Sequence, residues 1–393
     1  MIHHILFDDT DIRSSLLPFT FTRPVAGIRV GILTIAEKWE KRLNMKASFL
    51  TPQYLHPIFP LTIEADNLLI NGAVCPSEEL VKACQSLALG ECLVHAERVI
   101  AVRLSAEQVA QWPDIQSKLK TLHYNNTPTV IAHKWDIFAK NSAEIRQDFA
   151  LLTQGRTSAP LNDAHTIVYN AANVFLEEGA NVKAAVINAE DGPVYIGKNA
   201  QVQEGSLIKG PFAMCEGAVI NMGGKMRGDS TIGPFCKVGG EISNSVMFGF
   251  SNKGHDGFMG NSVIGEWCNL GADTNTSNLK NNYANVKLYN YGTDQDEDTG
   301  LQFCGLMMGD HSKAGINTMF NTGTVVGVGA NIFGAGFPAK FIPSFAWGGA
   351  DSSFETYRLD KFLETEQRVM QRRSKQITPE YKSVIEYLHL QEQ

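Results

Sequence analysis

An apolar residue recurs at every sixth position over long stretches of this chain, and this period restricts the possible folds more than any other feature. The stride runs unbroken through eight residues, resumes in mid-chain and runs once more further on: Ile196, Val202, Ile208, Met214, Ile220, Met226, Ile232 and Val238, then Phe258, Ile264 and Leu270, then Met308, Ala314, Phe320, Val326 and Ile332. A period of six matches neither an α-helix nor an ordinary strand. It matches a solenoid in which each hexad is one short strand and a turn, with the apolar side chain pointing inward.

Glycine often follows the apolar residue of a hexad, as at Gly197, Gly233 and Gly265. Glycine suits a corner between strands because it adopts a positive φ without steric cost. The pattern resembles the hexapeptide repeat of left-handed parallel β-helices, most of which are acyltransferases. The resemblance implies a left-handed parallel β-helix for the repeat and acyl transfer as its first candidate activity.

Glycine usage divides the chain into three parts. Of its 35 glycines, five lie in residues 1–160, the other thirty lie in residues 161–350, and residues 351–393 contain none. We therefore expect an α/β domain over 1–160, the β-helix over 161–350 and a helical tail over 351–393. A long polar segment at 278–300, acidic at 294–298, interrupts the stride, and we expect it to form a loop around the binding face of the solenoid.

The first part and the tail contain the signals of ordinary secondary structure. Short strands and helices alternate in the first part, which is typical of a sheet covered by helices; the expected strands cover 2–7 and 67–70, and the expected helices cover 32–43 and 77–90. In the tail, Ser352 and Glu355 match a capping box, and Thr378 before Pro379 matches a helix start. Two roles are equally open for the tail: a cap over the last coil of the solenoid, or a segment that packs between subunits.

Composition argues against several classes of protein. The net charge of −7 argues against a dedicated nucleic-acid binder. The seven cysteines lack paired C-x-x-C spacing, so we expect reduced thiols in a cytoplasmic protein rather than a disulfide or zinc framework. We expect no membrane insertion, because no segment approaches the ~20 apolar residues that span a bilayer and the N-terminal residues lack the pattern of a signal peptide.

One segment, SNKGHDGFMGNSVIGEWCNLGADTNTSNLKNN at 251–282, is the best candidate for chemistry. Its Lys-Gly-His start, which ends at His255, and its Asn-Leu-Gly-Ala run, which ends at Ala272, resemble the acetyltransferase domain of the bacterial bifunctional N-acetylglucosamine-1-phosphate uridyltransferase/glucosamine-1-phosphate acetyltransferase family. The spacing between the two runs is that of the family. Over 231–349 the chain is similar to a shorter, Bacteroidetes-type relative of that enzyme, and over 1–160 the similarity is loose.

Acetyl transfer from a thioester to an amine explains why a histidine is needed. The amine must be neutral to attack, and a base whose pKa lies near the working pH can take its proton. The resemblance implies that His255 is this base, that acetyl-CoA binds at Ala272, Ala314 and Gly315, and that the protein is a homotrimer with acetyl-CoA in the grooves between β-helices. A sugar-phosphate acceptor needs positive charge and hydroxyl recognition, for which the candidates are Lys237, Lys253, Lys287, Phe258, Asn269 and Asn278.

The chain departs from the family at three places. Phe258 stands where the family has a tyrosine, so one phenolic hydrogen bond is lost. Ser243 stands where the family has a phosphate-binding lysine, and the solenoid is about one coil shorter before His255. Acetyl transfer remains the favoured activity, with glucosamine 1-phosphate the favoured acceptor, while the identity of the sugar stays open.

Two histidines also have simpler interpretations. An isolated His255 would be a turn residue that bonds to its own loop, and His311 in GDHSK either lines the same groove or fills a corner of the solenoid. We favour catalysis for His255 and the corner for His311. A zinc site that recruits both histidines at a subunit interface is a weaker alternative, because the spacing of a third ligand is not visible.

The segment LLPFTFTRPVAGIRVG at 16–31 resembles the L-x-P-x-T-x-x-x-P opening of sugar nucleotidyltransferases. In that family a preceding glycine-rich loop cradles a nucleoside triphosphate through its backbone N–H groups, but FDDTDIRS at 7–14 contains no glycine. Val25 stands at the place of the family's lysine, and Ala73 stands at the place of its Mg²⁺-binding aspartate. Catalysis by this domain therefore requires other residues.

Two interpretations of the first domain remain open. In one, it is an active transferase in which Asp8 or Asp9 holds Mg²⁺ and Arg13, Arg23 or Arg29 clamps phosphates. In the other, it binds a UDP- or dTDP-sugar without turnover, or only scaffolds the trimer, and Arg23 forms a structural salt bridge. The favoured function of the whole chain is transfer in nucleotide-sugar biosynthesis. The alternatives are a nucleotidyltransferase with a structural β-helix, and a non-catalytic trimeric scaffold that binds a nucleotide sugar.

Overall fold

The computed structural model describes residues 2–392, which begin with a six-stranded mixed sheet. The strands of this sheet are β1 (His3–Phe7), β2 (Ser48–Leu50), β3 (Asp66–Asn71), β5 (Glu91–His95), β6 (Arg98–Ser105) and β7 (Lys120–His123). Two further strands, β4 (Val74–Cys75) and β8 (Thr129–Val130), form a separate antiparallel pair. The sheet has the order β2-β1-β3-β6-β5-β7, in which β1 runs parallel to both neighbours. Strand β6 runs antiparallel to β3 and β5.

Six helices and three short 3₁₀ turns (Val25–Gly27, Gln53–Leu55 and Gln116–Lys118) complete this domain. The helices are α1 (Thr10–Ser15), α2 (Ile35–Leu43), α3 (Glu78–Gln85), α4 (Ala106–Val109), α5 (Asp136–Ala139) and α6 (Asn141–Thr153). Thr34 begins α2 with a complete capping box, and Ser77 caps α3 as predicted. Helix α3 ends at Gln85, before the predicted stop at Gly90, which instead adopts a positive φ in the turn that leads into β5.

A parallel β-helix with three flat faces follows. Face A consists of Val174–Leu176, Val194–Ile196, Phe212–Met214, Ser230–Ile232, Val246–Gly249, Val263–Glu266, Met307–Met308, Val325–Val326 and Phe341–Ile342. Face B consists of Asn181–Val182, Gln201–Val202, Val219–Ile220, Lys237–Val238, Asn252–Lys253, Asn269–Leu270, Lys313–Ala314, Asn331–Ile332, Ala346–Gly348 and the antiparallel Glu355–Thr356. Face C consists of Ile167–Tyr169, Val186–Asn188, Leu207–Lys209, Lys225–Arg227, Glu241–Ser243, Phe258–Gly260, Asn275–Thr276 and Met319–Phe320.

The interior of the solenoid confirms most of the six-residue stride. All eight residues of the first run are at most 3% exposed, and the last run is at most 5% exposed. Phe258 is an exception, because its neighbour Met259 pairs in register with the inward-facing Ile242 and fills the interior instead. The six-residue stride is interrupted between Val238 and Phe258, but the β-helix continues through this segment. Its irregular spacing places Ile242, Met247 and Lys253 inside the solenoid.

The α/β domain packs against face A, so that the two domains share one hydrophobic core. Phe19 of the first domain and Phe248 of face A are fully buried neighbours, with ring centroids 5.3 Å apart. The segment 278–300, expected to be a loop at the binding face, contains a hairpin of Lys287–Asn290 and Gln295–Asp298. Leu288 of this hairpin is buried in the same shared core, so the insertion docks on the α/β domain.

The Trp-Asp-Ile-Phe segment at 135–138 belongs to the core. Trp135, Ile137 and Phe138 are buried in the shared core. Lys134 beside them donates to the Tyr289 carbonyl of the docked hairpin at 3.0 Å. The segment therefore holds the insertion as well as the end of the first domain.

One corner of the solenoid, between faces A and B, carries a column of aromatic rings. Phe235, Phe250, Trp267 and His311 occupy equivalent corner positions on successive coils, with φ values between 55° and 62°. Neighbouring ring centroids are 5.2, 4.2 and 6.5 Å apart, and the rings are nearly parallel. A positive φ is unfavourable for bulky residues, so stacking along the column and the backbone ladder hold these corners.

The tail inserts into this aromatic column. Its helices are α7 (Leu359–Gln371) and α8 (Pro379–Gln391). The corner position after His311 is Gly329, and the ring of Phe362 from α7 occupies the space there; a Cβ on Gly329 would lie 2.8 Å from that ring. Helix α8 reaches the α/β domain, where Tyr387 stacks on Tyr54 at 4.5 Å.

The tail therefore packs along the side of its own chain and also covers the edge of the last coil. The predicted helix start at Thr378 and Pro379 is confirmed. The predicted capping box at Ser352 and Glu355 is wrong, because Glu355 pairs as a strand with Trp347 and closes the edge of face B. Among residues 2–392, no helix combines the length and the apolar character needed to cross a membrane.

Candidate active site

A cavity of about 700 Å³ lies beside face B, between the solenoid and α7. Its floor is a row of four polar residues paired in register on successive strands, Lys237, Asn252, Asn269 and Lys313. The residue that follows each of them on its strand points inward, so strand alternation directs all four side chains outward. The floor therefore offers two amides and the Lys237 ammonium to a bound molecule, while the Lys313 ammonium pairs with Glu366.

His255 lies at the rim of this cavity, on the turn that leaves face B. Its ring is exposed, and no residue in the described part of the chain hydrogen-bonds to it. Gly254, Gly271 and Ala272 line the same rim and leave room beside the imidazole. The ring is therefore free to bond to a ligand. The turn-residue interpretation of His255 would instead require a hydrogen bond from the ring to its own loop.

The backbone under His255 is held on both sides. Asn221 donates to the Gly254 carbonyl at 2.7 Å. Lys253 lies inside the solenoid, with 0% of its surface exposed, and its Nζ donates to the carbonyls of His255 at 3.1 Å and Asp256 at 3.2 Å. Lys253 was expected to bind a sugar phosphate, but its ammonium faces the interior of the solenoid and does not line the cavity.

Aromatic and basic side chains form the other walls of the cavity. Phe250 and Trp267 of the corner column lie on one side, with rings stacked 4.2 Å apart. The opposite wall is the end of α7, including Arg372 and Arg373. Arg373 donates to the Asn252 amide oxygen at 2.9 Å, and partial burial lowers the pKa of its guanidinium. Two arginines and Lys237 thus line the same cavity.

A buried carboxylate ties α7 to the solenoid next to the cavity. Glu366 accepts from Lys313 and contacts His311 at 2.5 Å, while the second ring nitrogen of His311 contacts the Tyr381 hydroxyl at 2.6 Å. Burial opposes the charge of Glu366, yet His311 and Lys313 hold its pKa below the ordinary value. His311 therefore fills a corner, as favoured from the sequence.

The zinc alternative finds no matching arrangement in the part of the chain that the structure describes. Both ring nitrogens of His311 are engaged by protein groups. Among residues 2–392, no group of three or more His, Cys, Asp or Glu side chains is arranged to hold a metal ion.

The remaining predicted residues are divided by the fold. Lys237, Asn269 and Ala272 line the cavity with His255. The others lie elsewhere: Phe258 is half-buried on face C, Asn278 donates to Asn261 at 2.8 Å, Lys287 is exposed on the docked hairpin, Ala314 points into the solenoid core, and Gly315 lies against Gly271 on the next coil. None of these five lines the cavity.

Sequence reasoning missed the wall formed by α7. Arg372, Arg373 and Lys313 are visible as basic residues, but the tail lies about a hundred residues beyond His255 in sequence. Trp267 follows the Ile-Gly-Glu of a hexad. A bulky residue at this corner of the coil was the one feature of the sequence that could have predicted the column of stacked rings. The docking of the tail depends on the Gly329 gap, which no local pattern reveals.

A second cavity, of about 840 Å³, lies at the carboxyl ends of β1 and β2 in the α/β domain. Open α/β sheets bind ligands at this edge. The lining includes acidic and basic groups together with an indole ring: Asp8, Asp9, Asp11, Arg13, Glu97, Arg98 and Trp112. The predicted residues Asp8, Asp9 and Arg13 therefore do meet at one cavity.

The functional groups of Asp8 and Arg13 are already paired with each other. Asp8 accepts from the Val25 N–H at 2.8 Å, from Thr51 at 2.6 Å and from Arg13 at 2.7 Å. Burial raises the pKa of Asp8 despite these donors. Both of its oxygens are engaged, and Asp9 caps α1, so these two residues do not fit the resident Mg²⁺ that the sequence suggested.

Arg23 and Arg29 do not reach the second cavity. Arg23 is 6% exposed and pairs with Asp310 of the solenoid at 2.6 Å, which confirms the salt-bridge alternative. Arg29 is buried and donates to the Phe248 carbonyl at 3.1 Å. Both arginines join the domains, and Ala73 is fully buried.

The fold thus defines a two-domain protein, in which a helix-covered α/β sheet is joined to a parallel β-helix of the hexapeptide type with a short helical tail. Residues 4–157 match the family model described as sugar nucleotidyl transferase. A bifunctional sugar-1-phosphate nucleotidylyltransferase/acetyltransferase from Sulfurisphaera tokodaii is 30% identical over 166 residues, 42% of this chain and 38% of that protein. The protein GlmU of Methanocaldococcus jannaschii, described as bifunctional, is 34% identical over 87 residues, 22% of this chain and 21% of its own.

These matches fit the bifunctional family that the His255 segment resembles, although the chain spans well under half the length of either relative. Solved structures with partial overlap include the polySia-specific acetyltransferase NeuO, at 15% identity and a TM-score of 0.29, covering 54% of this chain and 95% of that one. PerB of Caulobacter crescentus, solved with CoA and GDP-perosamine, has 8% identity and a TM-score of 0.14, covering 90% of this chain and 98% of that one. Scores this low do not bear on function.

Proposed function

We propose that the β-helix transfers an acetyl group from acetyl-CoA to the amine of a sugar phosphate, with His255 as general base. The observation that carries this proposal is the unpartnered His255 ring at the rim of a polar and cationic cavity. The family resemblance of the surrounding segment supports the same assignment. Glucosamine 1-phosphate is the first acceptor to test.

The chemistry requires one proton transfer and one exchange of bonds. The amine nitrogen attacks the thioester carbonyl carbon while a nitrogen of His255 takes the amine proton. Collapse of the tetrahedral intermediate breaks the carbon–sulfur bond, and CoA leaves as a thiol after it receives that proton. The products are the amide and free CoA, and His255 returns to its neutral form.

The walls of the cavity suit the two substrates. Coenzyme A carries phosphate groups, and Lys237, Arg372 and Arg373 provide three cations among the residues that line the cavity. Asn269 lies on the floor next to Asn252 and offers an amide for sugar hydroxyls. Phe250 and Trp267 present apolar surface to the pantetheine or to a sugar ring.

The test is release of CoA thiol by the purified protein with acetyl-CoA and glucosamine 1-phosphate. Replacing His255 by Ala should lower kcat on the order of 10²–10⁴-fold. His165→Ala is a matched control, because His165 is exposed and lies away from the cavity. Full activity in His255→Ala would rule out this base, and no thiol release by the parent protein would reject the acceptor and favour a scaffold role.

A second role, for the α/β domain, is supported by the family match over residues 4–157 and by the cavity at the ends of β1 and β2. We infer that this domain binds a UDP- or dTDP-sugar there, with Arg98 and Trp112 as free lining groups. Turnover would require Mg²⁺, for which Asp8 and Asp9 are unsuited, so binding is favoured over pyrophosphorolysis. Calorimetric titration with UDP-N-acetylglucosamine, beside an assay of pyrophosphate release, separates the two roles.

We propose a cytoplasmic homotrimer as the working form. The cysteines in the described residues are free and buried, which suits a reducing compartment. Face C is covered by neither the first domain nor the tail, and it exposes apolar residues, including Ile167, Tyr169 and Leu207, at 48% to 54%. Light scattering of the purified protein tests the subunit number.

A further inference from the structure

Lys253 occupies a position that belongs to the solenoid core. On face B it pairs in register with Val238, and the inward-facing residues of this face on the adjoining coils are Ile220, Val238, Leu270 and Ala314. All of these neighbours are apolar and at most 5% exposed, and Lys253 is itself 0% exposed. The irregular coil thus places one lysine in a column of aliphatic side chains.

Within residues 2–392, the Lys253 ammonium hydrogen-bonds only to the turn that carries His255. Its Nζ donates to the carbonyls of His255 and Asp256, at 3.1 and 3.2 Å. Asn221 holds the preceding carbonyl, that of Gly254, from the cavity side at 2.7 Å. Three successive carbonyls of this turn are therefore each bound by a side chain, two of them from inside the solenoid.

This arrangement costs folding free energy. An ammonium taken out of water with only backbone carbonyls as acceptors is poorly compensated, and an apolar side chain would suit the column better. Burial lowers the pKa of Lys253 to about 8, although Asp256 on the same turn and Asp273 on the next coil act in the opposite direction. Lys253 lowers the stability of the fold, and its ammonium hydrogen-bonds to the His255 turn. Its presence is therefore best explained by its contact with the backbone of that turn.

We infer that Lys253 is a positioning residue, which fixes the direction of His255 into the cavity by binding the backbone of its turn from inside the solenoid. The inference rests on the proposed acetyl transfer, since it concerns the same histidine. Gly257, at φ 116°, brings the turn back towards face C, and a Cβ there would lie 3.2 Å from the Lys253 Nζ. The same Cβ would lie still closer to the Thr274 carbonyl, so the turn at Gly257 is confined by the next coil as well as by the ammonium group.

The central test is the Lys253→Met variant, which keeps the length of the side chain and removes its charge and donors. Displacement of a base by about 1 Å costs on the order of 10²-fold in rate, so kcat of thiol release should fall about 10- to 100-fold. KM for acetyl-CoA should stay within about twofold of the parent value, because Lys253 does not line the cavity. Met259→Leu is the matched control, since Met259 is the next inward-facing residue along the chain and makes no contact with the turn carbonyls.

A pH profile separates positioning from a general packing defect. The parent protein should lose kcat as the pH rises above about 8, when Lys253 gives up its proton, and Lys253→Met should lack this decline. Lys253→Gln, which keeps a neutral donor, should recover part of kcat and also lack the decline. Equal kcat and an unchanged alkaline limb in Lys253→Met would overturn the inference.

Amide hydrogen exchange tests the inference without the activity. The N–H groups of Glu241 and Asp273 donate to the Gly257 and Asp256 carbonyls of this turn, at 3.2 and 3.1 Å. In Lys253→Met, these two amides should exchange at least about tenfold faster, while the coils at Val238 and Leu270 keep their protection. If the parent protein releases no thiol, the proposed function fails and the exchange result alone decides the role of Lys253. Unchanged exchange of the Glu241 and Asp273 amides would then overturn it.

Discussion

The guanidinium of Arg23 in the α/β domain pairs with the carboxylate of Asp310 on the solenoid, at 2.6 and 3.2 Å. Thr22 donates to the same carboxylate at 2.6 Å, and the guanidinium lies over the ring of Phe248 at 5.0 Å. Asp310 is 1% exposed. The two domains are thus joined by a buried ion pair as well as by a shared core, so they should unfold together.

Asp310→Asn should destabilise the protein strongly, because it removes the nearer of the two carboxylates beside the buried Arg23 guanidinium and leaves only Glu266, at 3.4 Å, in the described part of the chain. Breaking one side of a buried pair costs about 3–5 kcal/mol. Urea unfolding followed by tryptophan fluorescence measures the change. Glu241→Gln, which breaks the exposed pair with Arg227, is the control and should alter the unfolding free energy little. Equal effects of the two variants would show that the Arg23 pair contributes nothing to the joint between domains.

Phe362→Ala should loosen the tail, since it empties the place at Gly329 in the aromatic column. Truncation of a buried phenylalanine costs about 3–5 kcal/mol. Limited proteolysis should then cleave within 351–393 before the rest of the chain. Phe337→Ala removes a ring that is 55% exposed and serves as the control. A tail that resists protease in Phe362→Ala would mean that α8 alone holds it.

Arg373→Ala should weaken acetyl-CoA binding without slowing the chemical step. A hydrogen bond to a charged group contributes about 1.5–3 kcal/mol, so KM for acetyl-CoA should rise on the order of tenfold or more while kcat is kept. Steady-state kinetics of thiol release give both constants. Lys375→Ala is the control, because Lys375 is exposed and lies outside the cavity. A loss of kcat with constant KM would instead place Arg373 near the reacting atoms.

Lys253→Met should change the pH dependence of stability in a defined direction. In the parent protein, burial lowers the pKa of Lys253 from 10.5 to about 8 in the folded state. The folded state therefore binds this proton less tightly than the unfolded chain. The cost of holding the charge is fully present below pH 8 and disappears as the pH rises past 10.5.

This shift corresponds to about 3 kcal/mol. The difference in unfolding free energy, Lys253→Met minus parent, should therefore fall by up to about that amount between pH 7 and pH 11. Comparing the two proteins at each pH cancels the titration of the other groups, including Lys134, whose pKa burial also lowers to about 8. A difference that is constant with pH would contradict the buried-charge account.

The six-residue stride predicts the solenoid because it reports a single physical fact, the inward residue of each hexad, over many coils. The spacing around His255 likewise predicts a histidine beside Asn269 and Ala272, since register along a regular coil follows from counting residues. Both predictions depend on local periodicity. They succeed where the coil is regular.

The sequence-based predictions fail where a side chain's direction depends on irregular spacing or on distant residues. Lys253 looks like a surface cation, and only the shortened coil that also contains Ile242 turns it inward. The partner of Arg23 lies 287 residues away, so no local pattern identifies it. The α7 wall of the cavity has the same cause, because tertiary packing alone brings Arg373 to Asn252.

The gap at Gly329 also determines at which coil of the solenoid the tail docks. Successive coils of a β-helix are nearly alike and lie about 4.8 Å apart. A helix that packs on the side of the solenoid therefore has several similar docking positions. Because Phe362 fits at Gly329, between the rings at His311 and Phe345, a slip by one coil would set ring against ring. It would also carry Arg373 about one coil spacing away from Asn252. The absence of a side chain at Gly329 thus sets the register of the tail along the solenoid.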